Sequence, residues 1–123
     1  MKRVIGLGGI FLKCRDVEHT RAWYAKHLGI TIESWGAQFN LKEETNPDAY
    51  SVLSFFKHST DYFDPSDAPF MINFRVDNLD ALVAALRNEG IALIGEPLAE
   101  EYGKFAWLLD PEGNKIELWE QPK

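Results

Sequence analysis

Along residues 115–120 (KIELWE) apolar and polar side chains alternate. An extended chain would put Ile116 and Leu118 on one side and Lys115, Glu117 and Trp119 on the other. Residues 79–86 follow another period. Leu79, Leu82, Val83 and Leu86 recur at i, i+3, i+4 and i+7, the stripe of an amphipathic helix. That helix has an earlier counterpart. Residues 16–30 (DVEHTRAWYAKHLGI) and 77–91 (DNLDALVAALRNEGI) share length and punctuation. Each opens on an aspartate suited to capping free amides, and each closes on a glycine, Gly29 or Gly90, suited to leaving a helix. In the first copy Val17, Tyr24 and Leu28 form a weaker stripe.

Extended stretches flank both helices. In the first half they are 10–14, 31–35, 38–41 and 50–57; in the second they are 70–76, 92–94, 105–109 and 115–120. The run Asp110, Pro111, Glu112, Gly113 has the residue order of a type I turn. The pattern therefore predicts an α+β chain of two βαβββ modules, at about 1–57 and 70–123. A connector at 58–69, with prolines and aspartates, joins them within one domain.

Composition narrows the partners. A formal net charge of −6 supplies no basic surface for nucleic acid. The single cysteine, Cys14, excludes an internal disulfide and a thiolate metal cluster. The first residues lack the pattern of a signal peptide, and no apolar run has the length of a membrane span, so a cytoplasmic protein is expected.

Three segments, 16–30, 74–82 (FRVDNLDAL) and 110–118 (DPEGNKIEL), resemble the vicinal oxygen chelate superfamily, which includes glyoxalase I, extradiol dioxygenases and bleomycin-resistance proteins. The resemblance spans nearly the whole chain in the right order. It implies two modules whose curved mixed sheet surrounds a cavity, and a homodimer. In metal-dependent members four strand positions, usually His or Gln, Glu, His and Glu, hold a divalent ion. The matching positions here are Gly9, Ser54, Met71 and Glu117, so one ligand is kept and no metal or other cofactor is expected. His19, His27 and His58 fall on the first helix or in the connector, away from those positions.

Strand alternation then names the cavity face. It comprises Phe11, Lys13, Ser54, Phe56, Met71, Asn73, Arg75, Phe105, Trp107 and Trp119 around Glu117, with Trp107 opposite Glu117 and Phe105 opposite Trp119. An aromatic concavity with a few polar groups is the usual form of a small-molecule site. Glu117 could pair with Arg75 or Lys13, act as an acid/base group in a lyase or isomerase, remain as a residual metal ligand, or serve as a counter-charge for a bound molecule, for which a cationic planar ligand suits the acidic chain. The favoured expectation is a metal-independent binder of a small organic molecule. The alternatives are an enzyme of the superfamily's lyase, isomerase or dioxygenase type, and a structural or regulatory dimer with a filled cavity.

Overall fold

In the computed structural model, which describes residues 1–123, the second half carries the sheet. Strand β1 (Ile72–Arg75) leads into α2 (Leu79–Asn88), and β2 (Leu98–Glu100), β3 (Gly103–Leu109) and β4 (Lys115–Glu120) follow. The sheet order is β1-β4-β3-β2, with β1 parallel to β4 and the other pairs antiparallel. This is the βαβββ module that the sequence predicts. Glu117 lies beside Asn73 in one register, while Trp107 opposes Glu117 and Phe105 opposes Trp119 in the other.

Alternation divides the sheet faces. Ile72, Ala106, Leu108, Ile116 and Leu118 are buried; all but Ile72 share one core cluster with Leu79, Val83 and Leu86 of α2 and Tyr24 of α1 (Val17–Leu28). Asn73, Phe105, Trp107, Lys115, Glu117 and Trp119 take the opposite face. Residues 115–119 of β4 are all buried, so both faces of this inner strand are covered.

Capping follows local chemistry. The Asp16 carboxylate accepts from His19 N at 3.0 Å, as expected. The second helix begins one residue later than its aspartate suggests, because Asn78 rather than Asp77 accepts from Ala81 N at 3.0 Å, while Glu120 accepts the Leu79 amide at 2.8 Å. The predicted strand at 92–94 shrinks to one bridge, Leu93 to Leu108. Gly95, at φ 69°, then turns the chain, and the ladder with β3 forms at Leu98–Glu100.

The first half departs most from expectation. Residues 10–14, 31–35, 38–41 and 50–57 form no ladder; an isolated bridge between Glu33 and Gly36 and a short 3-10 turn at Leu41–Glu43 stand in their region. The first βαβββ module is thus a helix with extended, mostly exposed arms: Phe11, Val52, Leu53 and Phe55 all face outward. The helix α1 itself is held by the second half. Its buried residues are Thr20 and Tyr24 rather than a Val17–Tyr24–Leu28 stripe, and both bond to the second half. Tyr24 donates to Asp110 at 2.5 Å, and Glu112 accepts from Asp16 N at 2.9 Å and from Thr20 Oγ1 at 3.4 Å. The short first-half stretches leave much of their apolar surface exposed, and each buries too little to sustain its own pairing. No helix is long and apolar enough to cross a membrane.

Candidate functional site

Glu117 stands at the middle of β4, where neighbours on two strands and one loop reach it. Its Oε1 accepts from Tyr62 Oη at 2.6 Å and Trp107 Nε1 at 2.9 Å, and its Oε2 accepts from Asn73 Nδ2 at 2.7 Å. Asn73 and Trp107 arrive by register, being the lateral neighbours of Glu117 on β1 and β3. Tyr62 arrives from the connector. Glu117 is 8% exposed, and its carboxylate holds neutral donors on both oxygens, which is how a carboxylate is kept at depth without a partner cation.

Lys115, one turn of the pleat away, is also buried. Its ammonium donates to Tyr62 O at 2.6 Å and lies 5.2 Å from the Tyr62 ring centre and 5.9 Å from that of Trp107. Burial lowers the Lys115 pKa, while the carboxylates of Glu117, Asp64 and Asp61 pull the other way. Burial, and then the bond to Glu117, raise the Tyr62 phenol well above its ordinary value, so it is a neutral hydroxyl donor.

A row of aromatic rings continues across the face. Phe105 lies nearly parallel to Trp107, with centres 6.4 Å apart and planes 12° apart, and to Trp119 at 6.4 Å and 6°. Trp119 donates its indole N–H to Tyr102 O at 2.9 Å, and Tyr50 meets it edge-on at 5.4 Å. At the other end, Phe56 stacks on Tyr62 with centres 5.5 Å apart and planes 23° apart.

Of the residues predicted to line this face, Glu117, Asn73, Phe105, Trp107 and Trp119 gather directly, and Phe56 joins through Tyr62. Phe11, Lys13 and Ser54 sit exposed on first-half segments that make no ladder, and Met71 is half-buried just before β1. Arg75 pairs with Glu44, so neither it nor Lys13 is the partner of Glu117. Tyr62 and Lys115 were not among the predicted site residues. Lys115 shares the parity of Glu117, and a Tyr-Phe pair inside a polar connector is the sequence trace of Tyr62. A cavity of about 260 Å³ opens on the helix-covered side instead, between Leu28, Phe39, Phe74, Val76, Leu82 and Leu118, and does not reach Glu117.

The profile of the glyoxalase-like domain matches residues 9–119. The chain belongs to the glyoxalase-like family. It is thereby a vicinal oxygen chelate protein, and its fold neighbours agree. A protein from the mobile metagenome of V. pseudocholerae superposes with a TM-score of 0.64 at 20% identity, covering 100% of this chain and 99% of that one. A glyoxalase/dioxygenase from Nostoc punctiforme gives 0.57 at 19% identity, with 100% and 99% covered. TnmS3, an antibiotic binding protein from Streptomyces sp. CB03234, gives 0.54 at 24% identity, with 87% and 88% covered. The comparison with curated proteins gave no match.

The glyoxalase-like face does not fit the divalent ion that many vicinal oxygen chelate proteins carry. No three His, Cys, Asp or Glu side chains are grouped to hold one, and the lone carboxylate at the expected place spends both oxygens on Tyr62, Trp107 and Asn73.

Proposed function

We propose that this glyoxalase-like protein binds a small organic molecule on the aromatic face around Glu117, without a metal. The observation that carries the reading is the triply bonded carboxylate: Tyr62, Trp107 and Asn73 present donors at 2.6–2.9 Å, so Glu117 is a fixed acceptor rather than a free base. Parallel rings of Phe105, Trp107 and Trp119 beside one oriented polar group match the composition of small-molecule sites.

The test is a thermal-shift screen of planar aromatic compounds on wild type and Glu117→Gln. The amide replaces one acceptor oxygen with a donor facing donors. Compounds that stabilise wild type, by about 2.7 kcal/mol at roughly 100 times their Kd, should lose at least about tenfold in affinity for the variant, an effect of about 1.4 kcal/mol. Equal stabilisation of both proteins by every compound would remove Glu117 from recognition. Metal-free turnover of a hit that vanishes in Glu117→Gln would replace the binding reading with an enzymatic one.

A further inference from the structure

Tyr62 is the side chain that closes the face, and it comes from a loop. Residues 62–65 form turns in the connector, and Tyr62 is 38% exposed although its hydroxyl reaches a buried carboxylate. Its backbone is held separately from its ring: Lys115 Nζ bonds Tyr62 O at 2.6 Å, and Tyr62 N bonds Thr60 Oγ1 at 3.2 Å. Neither backbone bond involves the ring, so a side-chain rotation carrying the ring toward solvent would leave both in place.

The surroundings of that side chain contact both its aromatic ring and its hydroxyl. Phe56 stacks on it, Trp107 meets it edge-on with centres 6.4 Å apart at 86°, and the Lys115 ammonium lies 5.2 Å from its centre. At its far end a carboxylate, aligned by Trp107 and Asn73, accepts the hydroxyl. Each element selects a property: an aromatic ring for Phe56 and Trp107, and a hydroxyl donor for Glu117. The ammonium of Lys115 works against a cationic ligand, which removes the cationic planar molecule that the acidic charge suggested.

We propose that Tyr62 is a displaceable internal occupant of the Glu117 site, and that the external ligand taking its place is a hydroxylated aromatic molecule. The inference rests on the binding function proposed above and adds both the ligand class and a self-closing side chain. While Tyr62 occupies the site, the protein binds through the fraction of molecules in which it has swung out, so affinity for an outside phenol is reduced by that fraction.

The experiment measures binding of 4-methylphenol, 4-methylanisole and toluene to the full chain by calorimetry and by the NMR shift of the Trp107 indole N–H. The proteins are wild type, Tyr62→Phe, Tyr62→Ala and Tyr62→Ala/Glu117→Gln. In Tyr62→Ala, 4-methylphenol should bind at least about tenfold tighter than in wild type. It should also bind at least about tenfold tighter than 4-methylanisole or toluene, and this preference should disappear when Glu117→Gln is added. Tyr62→Phe keeps the ring and removes only the hydroxyl bond, so it should fall between wild type and Tyr62→Ala. If Tyr62→Ala does not fold, a gain in Tyr62→Phe over wild type decides in favour, and equality decides against. Equal binding of 4-methylphenol and 4-methylanisole to Tyr62→Ala overturns the ligand class. If wild type binds aromatics through Glu117 while neither Tyr62 variant gains affinity, displacement is wrong and the binding reading stands. If no probe and no screened aromatic binds any of the proteins, both fall.

Discussion

Asp110 is a buried carboxylate with donors on both oxygens. Oδ1 accepts the amides of Glu112 and Asn114, each at 2.9 Å, and Oδ2 accepts Asn114 Nδ2 at 2.9 Å and the Tyr24 hydroxyl at 2.5 Å. The first two shape the turn, and the last anchors α1. Asp110→Ala should therefore destabilise the protein by about 3–5 kcal/mol, since it strands several donors at once. Tyr24→Phe, which removes one donor and leaves Asp110 with three, should cost about 1–2 kcal/mol. Urea denaturation of the two single variants and the double variant checks both, and the double should fall clearly short of the sum because the residues share a bond. Glu117, with its three neutral donors, resembles Asp110 in chemistry but differs in consequence: Asp110 faces a helix, Glu117 faces a loop residue that can leave.

At the scale of elements, β3 begins at a point where only glycine fits. Gly103 has φ 134°, and a Cβ there would collide with Glu120 O and the Trp119 indole. Gly103→Ala should destabilise by about 2 kcal/mol or more and shift Trp119 fluorescence as its bond to Tyr102 O is disturbed. Gly113→Ala is the comparison: φ is 83° but the space beside it is open, so strain alone should cost about 1 kcal/mol. The second half was readable from sequence because its devices are local. The Asp110–Gly113 turn sets the β3–β4 register, the Leu79–Leu86 stripe sets the phase of α2, and both hold in the structure. The first half was not, because its stretches share strand-like composition while α1 is held by residues some ninety positions later, a separation no short window displays. The same limit applies to the site. Parity placed Asn73, Trp107 and Trp119 with Glu117, whereas Tyr62 crosses from a loop 55 positions away and follows no period.

For the whole molecule, alkaline pH is the informative variable. Burial first, and then the bonds to Asp110 and Glu117, raise the phenols of Tyr24 and Tyr62. A raised phenol favours the folded state fully below its unfolded pKa of about 10, and that contribution is lost as pH climbs toward the folded value. Stability should therefore fall between about pH 9 and about pH 12. Denaturation midpoints across that range should show a shallower fall in the Tyr24→Phe/Tyr62→Phe variant, and tyrosinate absorbance deferred in the folded wild type should appear on adding denaturant. The anchoring of α1 also governs when the molecule can assemble. A ribosome delivers residues 17–28 early, yet the side chains that receive Tyr24, Thr20 and the Asp16 amide belong to 110–112. The first helix thus waits without a dock until the β3–β4 hairpin has left the exit tunnel.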